Sequence, residues 1–265
     1  MAKSMLNFEF AGLQIPGYQN DTVGPASIIA QDGSLGLVRE AIATAGTLYE
    51  YAASHPDADT ISGRQTVYVI PVPDSGRWVV RQLSHGGMLA PLTGDRFLRL
   101  GVPRPFNELR LSISLRDLGI ATPTVVAAVV YPSGLIYRGE VAREEITDAA
   151  DLAECLFDSK LSQPLRSDAL SSAGQLIGCL HRAGIVHPDL NIRNVLIRWG
   201  DEPIEAYILD IEKCWIEAHL SQRARRGMLN RFHRSIRKFE ESTGQRLTGN
   251  EWDDFLASYA LAFAG

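Results

Sequence analysis

The stretch "IVHPDLNIRNVLI", residues 185–197, decides how this chain is read. Aliphatic residues open and close it. Between them stand His187, Asp189, Asn191, Arg193 and Asn194, side chains that are costly to bury without partners. A segment that only filled a core would not crowd them together. A site that needs a carboxylate and carboxamides held on rigid flanks would.

Downstream, "RWGDEP" is a turn and "AYILD" returns as a strand, which brings Asp210 back beside the loop. Asn194 and Asp210 are oxygen donors suited to a hard cation such as Mg²⁺. Asp189 then remains to accept a proton from an attacking hydroxyl. Phosphoryl transfer by kinases needs this division of labour: phosphates neutralised by metal, plus one orienting base. The pattern H-x-D-L-x-x-x-N is met in full from His187 to Asn194, as in the kinase catalytic loop. The competing reading is a polar loop in an unrelated fold, with His187 bonded to backbone. The later strand-borne Asp210 argues against it.

Upstream, "GRQTVYVIPV" and "RWVVRQL" are Val-rich and partly alternating, as paired strands are, with "PDSG" as the turn between them. Gly63 and Arg64 mark the turn expected to lie over nucleotide phosphates. Arg81 stands where a phosphate-binding cation belongs, and Glu108, on the next helix "PFNELRLSISLRDLG", is its expected ion-pair partner. That helix shows apolar Phe106, Leu109 and Ile113 and closes at Gly119. "TPTVVAAVVYPSGLIYRGEV" reads as two more strands. "LGLVREAIATAGTLYEYAA" reads as helix with a weak point at Gly46.

The second half is helical. "SDALSSAGQLIGCLHRAG" sets Leu170, Ala173, Ile177 and Leu180 at helical spacing, with Ser167 as N-cap and Gly184 just past the C-terminus. From Trp215 onward the chain reads as helices. The expected fold is therefore α+β with two lobes, a protein-kinase-like arrangement. Its N-lobe is strand-rich around one central helix, and its C-lobe is mainly helical. The expected parts are an N-terminal extension of uncertain role (1–60), an N-lobe (61–145) and a C-lobe (146–265), hinged near 143–148.

Composition limits the choices. The chain has 265 residues, 45% hydrophobic and 22% charged, as a soluble globular protein has, and a net charge of −5, which argues against a nucleic-acid binder. The start "MAKSMLNFEFAG" lacks the apolar core of a signal peptide, and no apolar run approaches a membrane span. Cys155, Cys179 and Cys214 form no C-x-x-C, so a reducing cytoplasm and no cysteine-based metal site are expected. Asp210 is followed by Ile211 and Glu212, so there is no D-F-G, and no A-P-E follows in the remaining 55 residues. That leaves no room to dock a polypeptide, and a small hydroxylated acceptor is expected.

Taken together, "GRQTVYVI", "WVVRQLSHGGMLAPLTGDRFLRLG", "HPDLNIRNVLI", "LDIEKC" and "LNRFHRSIRKF" resemble the lipopolysaccharide kinases. Gly86 and Gly87, "DRF" at 95–97 and "DLN" at 189–191 carry most of the likeness. It is strongest to the members that act on 3-deoxy-D-manno-octulosonic acid (Kdo). The resemblance implies ATP-dependent phosphorylation of a Kdo hydroxyl in the lipopolysaccharide inner core, with Asp189 as the catalytic residue. It also implies a Kdo–lipid A glycolipid as acceptor and peripheral attachment to the cytoplasmic face of the inner membrane. The chain departs from the family with "GRQ" for "GRG", "QLSH" where basic residues are usual, and "DIEK" for "DFDR". Two other readings stand beside it. One is a kinase-fold enzyme with another small acceptor or an atypical protein substrate. The other is a nucleotide-binding pseudokinase scaffold, which would be free to lose Asp189, Asn194 or Asp210.

"SQRARRGMLNRFHRSIRKF" (221–239) is basic without an acid in a chain that is acidic overall. Leu229, Phe232, Ile236 and Phe239 fall on one helical face. Arg231, Arg234, Arg237 and Lys238 then face outward or sideways; they read either as a solvated cationic face or as a face toward lipid A phosphates or an anionic membrane. Gly227 is a possible break in this helix.

Overall fold

The Val-rich runs form strands, as their alternation predicts. A computed structural model describes residues 15–61, 66–84, 94–158, 163–200 and 203–265. Gly63 and Arg64, read above as the phosphate turn, lie outside them. The chain divides into two compact units, one of residues 1–106 and 125–144, the other of 107–124 and 145–265.

The first unit carries β1 (Tyr18–Val23), β2 (Ala26–Gln31), α1 (Leu35–Ala45), α2 (Leu48–Ser54), β3 (Asp59–Ile61), β4 (Val67–Val72), β5 (Gly76–Gln82) and β6 (Phe97–Leu98). Helix α3 (Arg104–Asp117) begins in it and continues in the second unit, after which β7 (Val125–Ser133) and β8 (Ile136–Glu144) return to it. The strands pair antiparallel in the order β1–β2–β7–β8–β5–β4–β3, with β6 on β8. The described part of the first sixty residues, expected only to form an extension of uncertain role, belongs to this sheet unit. Gly46 ends α1 with φ 84°, so the expected weak point divides two helices.

Apolar faces of β2, β5 and β7 pack on Val38, Ala41, Leu48 and Ala52 of α1 and α2. One carboxylate sits within this core. Glu140 Oε2 accepts from Tyr131 Oη (2.8 Å) and from the Tyr49 N–H (2.9 Å), while Tyr131 Oη accepts from the Leu48 N–H. Burial pushes the Glu140 carboxyl up, against hydrogen bonds that lower it. The first turn of α2 gains partners for donors that a helix N-terminus leaves open.

The second unit holds the rest of α3, then β9 (Ala149–Asp151), α4 (Leu152–Phe157), α5 (Gln163–Arg182), β10 (Ile185–Val186), β11 (Val195–Arg198), β12 (Glu205–Ile208), β13 (Trp215–Ile216), α6 (Gln222–Thr243) and α7 (Gly249–Ala264). Strands β12–β11–β9 and β10–β13 form two small antiparallel sheets. In α3, Phe106, Leu109, Leu111 and Leu115 are buried and Ile113 only partly, so the apolar face is turned from the expected one. In α5 all four expected residues are buried. The helix starts at Gln163, so Ser167 is not its N-cap; its hydroxyl bonds Asp254 of α7.

Glycines bring α5 and α7 together. A Cβ at Gly174 would overlap the Phe255 carbonyl, and one at Gly178 would come within 2.6 Å of the Tyr259 carbonyl oxygen. Neither overlap can be relieved by turning a side chain, because the obstacles are backbone. Helix α6 runs unbroken through Gly227. Its buried residues are Met228, Phe232 and Ile236, with Leu229 and Phe239 at the margin. Phe232 stacks on Phe255 of α7 at 5.2 Å. Among the described residues no helix is long and apolar enough to cross a membrane.

Candidate active site

The segment 185–197 alternates anchors with display. Val186, Leu190, Ile192, Val195 and Ile197 are buried in the helical unit's core. Asp189 and Arg193, between them, are exposed, and Asn191 and Asn194 are partly so. The apolar residues therefore hold the loop down by burial, and the polar ones are left at its surface.

His187 is 2% exposed and satisfied at both nitrogens. Nδ1 accepts from the Asp189 N–H (3.2 Å), so Nε2 carries the proton and donates to the Leu209 carbonyl (2.9 Å). Burial lowers its pKa, against smaller opposing effects from the Leu209 carbonyl, Asp210 and Asp189. It is a neutral brace. One end fixes the backbone of Asp189, and the other fixes the residue before Asp210.

Asn194 completes the frame. Its Nδ2 donates to the Asp189 carbonyl (2.9 Å), and its own carbonyl accepts from the Leu209 N–H (2.9 Å). The Leu209 peptide is thus clamped from both sides. Asp210 follows with φ 59°, ψ 43°, a left-handed conformation uncommon for a non-glycine residue and typical of functional turns. Asp189, Asn194 and the turn at Asp210, which lies sixteen residues beyond Asn194, belong to one hydrogen-bonded frame.

Neighbouring helices steady it. On α6, Met228 Sδ accepts from the His187 N–H (3.2 Å), and Ser235 Oγ accepts from the Ile192 N–H (3.1 Å). On α3, Asn107 Nδ2 donates to the Glu212 carbonyl (3.0 Å), in the turn after Asp210. Thr122 Oγ1 donates to the Ile208 carbonyl (2.9 Å), and the Ile208 N–H to the Ala121 carbonyl. Burial, then the charges of Asp210, Glu212 and Glu108, push the Cys214 thiol up and keep it protonated. None of Asn107, Thr122, Met228 and Ser235 stands out in sequence. Ser235 alone carries a faint signal, at i+3 from Phe232 on the buried side of α6.

The other expected residues are placed as follows. Arg81 lies on β5 opposite Val141 of β8, in the sheet unit. Glu108 is fully buried on α3, in the helical unit. Arg234, Arg237 and Lys238 are exposed on α6, and Arg231 is partly buried. Arg237 reaches Glu241 at 3.8 Å, one helical turn on.

Comparison with known proteins gives the family and the fold. The lipopolysaccharide kinase (Kdo/WaaP) family matches residues 38–259. A 3-deoxy-D-manno-octulosonic acid kinase of Vibrio cholerae serotype O1 is 30% identical over 179 residues, 67% of this chain and 72% of that one. The protein of the same name from Haemophilus influenzae (strain PittEE) is 29% identical over 203 residues, covering 74% and 82%. That from Xanthomonas oryzae pv. oryzae is 30% identical over 203 residues, covering 76% and 78%. Among solved structures, WaaP in complex with acyl carrier protein shares the fold with a TM-score of 0.55 at 16% identity, covering 88% of each chain. The two-lobed α+β fold is that of a protein-kinase-like enzyme, and the chain belongs to the lipopolysaccharide kinase (Kdo/WaaP) family.

Proposed function

We propose that the protein transfers the γ-phosphoryl group of ATP to a hydroxyl of a Kdo residue in the lipopolysaccharide inner core. The observation that carries this reading is the single frame holding Asp189, Asn194 and the Asp210 turn, in a chain of this kinase family. Asp189 is exposed and accepts the proton of the attacking hydroxyl as its oxygen bonds to phosphorus. The bond from the γ-phosphorus to the bridging oxygen breaks, and ADP departs.

Asn194 spends its N–H on the loop and presents Oδ1, and Asp210 supplies a carboxylate. One carboxamide oxygen and one carboxylate suit Mg²⁺ that takes its other ligands from phosphate and water. When bound, that ion would neutralise charge on the phosphates. Arg81 is the proposed cation for the nucleotide phosphates and Glu108 its proposed partner. The exposed basic face of α6, with Arg231, Arg234, Arg237 and Lys238, is proposed to meet the anionic glycolipid or membrane surface, which fits a peripheral protein on the cytoplasmic side.

The deciding experiment incubates the purified protein with γ-labelled ATP, Mg²⁺ and Kdo₂-lipid IVA. Label in the glycolipid that survives lipid A hydrolysis on the Kdo fragment is the expected result. ATP turnover without labelled Kdo points to another acceptor, and no turnover removes the enzyme reading.

A further inference from the structure

A cavity of ≈340 Å³ opens in the helical unit beside the catalytic loop. Its lining includes Glu154, Phe157 and Asp158 from α4 and its end, Arg193 from the loop, Phe239 from α6, and Gln245 just after α6. A larger cavity of ≈380 Å³ is lined by α5 residues such as Asp168 and Ser171 together with Pro203 and Ile204, and it includes no residue of the loop.

Arg193 ties the smaller cavity to the chemistry. Its N–H donates to Asn191 Oδ1 (2.9 Å), and Asn191 Nδ2 donates to the Asp189 carbonyl (2.8 Å). One asparagine side chain therefore ties the main chain of Arg193 to the main chain of the proposed base. The guanidinium lies 5.0 Å over the Phe239 ring and bonds Asp151 at 3.2 Å, while its side chain stays 60% exposed. Phe239 in turn stacks on Phe157 at 5.6 Å, 21° from parallel. The cation is held from two sides and still open to a ligand.

The lining selects a chemistry. Aromatic faces are electron-rich and attract polarised C–H groups. Carboxylates and a carboxamide bond hydroxyls, and a guanidinium pairs with a carboxylate in a two-pronged geometry. Glu154 and Asp158 would repel a polyphosphate far more than a ligand with a single carboxylate, whose one charge Arg193 can meet. A polyol ring carrying one carboxylate satisfies all of these at once, and the volume lies in the range of small-ligand sites.

We propose that this cavity is the acceptor subsite and seats one ring of a sugar acid, its carboxylate on Arg193 and its hydroxyls on Glu154, Asp158 and Gln245. This rests on the Kdo kinase reading, and it adds the residues that recognise the acceptor. They are positioning residues, so they act on acceptor binding and not on the transfer step.

The test uses Glu154→Gln combined with Gln245→Ala in the full chain, with folding checked by circular dichroism and melting. Kinetics are measured against Kdo₂-lipid IVA, and Kdo methyl glycoside is titrated as a competitor. The expected result is an acceptor KM raised about tenfold, a competitor Ki raised equally, kcat within about twofold, and an unchanged KM for ATP. An unchanged acceptor KM overturns the subsite while leaving the kinase reading in place. A parallel rise in KM for ATP assigns the cavity to the nucleotide and also overturns it. A wild-type protein that does not phosphorylate Kdo₂-lipid IVA fails earlier, and both readings fall.

Discussion

Asn194 donates its side-chain N–H to the main-chain oxygen of Asp189, five residues earlier, at 2.9 Å. The residue proposed to hold the metal is thus also a strut for the residue proposed as base. The two roles separate experimentally, because removing each partner has its own signature.

Asp189→Asn removes the proton acceptor and leaves the backbone bonds to His187 and Asn194 in place. We expect kcat to fall by about two orders of magnitude or more, with ATP affinity retained. Single-turnover kinetics alongside calorimetric ATP titration measure both, and near-wild-type turnover would end the assignment.

Asp210→Ala removes a carboxylate and leaves the bonds from His187 and Asn194 to the Leu209 main chain in place. Mg²⁺-dependent ATP binding should be lost in calorimetry, while Mg²⁺-free binding changes little. Asn194→Ala should show both defects, weaker Mg²⁺–ATP binding and a kcat loss that saturating Mg²⁺–ATP does not restore. Unchanged Mg²⁺–ATP affinity in both variants moves the metal elsewhere.

Arg81→Lys keeps the charge and loses the planar fork. We expect KM for ATP to rise by about tenfold, although lysine is the commoner kinase residue at this place. A double-mutant cycle with Glu108→Gln reads their coupling, and additivity of the two changes counts against the proposed pair.

Replacing Arg231, Arg234, Arg237 and Lys238 together by glutamine should weaken sedimentation with anionic liposomes and raise KM for the lipid acceptor. KM for ATP should stay the same. Arg237 contributes least, because Glu241 already draws on its charge. Wild-type liposome binding by this variant reduces the stripe to a solvated surface.

His181 gives a pH signature independent of catalysis. It is 2% exposed, its Nδ1 lies 2.9 Å from Tyr259 Oη, and burial lowers its pKa to about 4 from 6.5. The unfolded chain therefore takes up this proton first as pH falls. The stabilisation is complete above pH 6.5 and drains away toward pH 4, on the order of 3 kcal/mol in all. Urea unfolding of His181→Gln should show a flatter acid limb over that window, and an equally steep one refutes the attribution.

The bonded frame of residues 187–210 was legible because the polar residues from His187 to Asn194 are fixed in spacing and one hairpin returns Asp210 beside them. The roles of Asp189, Asn194 and Asp210 are proposals read from that spacing. The supports were not legible. Asn107, Thr122 and Ser235 act by bonding main-chain atoms, and a carbonyl can be reached by many side chains from many positions. The helix faces were read from apolar periodicity alone, which missed Met228 because its neighbour Leu229 fits the stripe as well. The first sixty residues were read as an extension because β1 is polar and half exposed, so no alternating apolar face announces that its neighbour β2 pairs with β7.

The glycine contacts between α5 and α7 bear on how the molecule matures. Helix α5 leads through Gly184 directly into the 185–197 loop, yet its Gly174–Gly178 face packs on α7, which the ribosome makes well after that loop. During synthesis the loop therefore emerges before its scaffold can close. The nascent chain shows an open, apolar flank on α5 until α7 docks, and it is in this interval that chaperone capture or misassembly competes with folding.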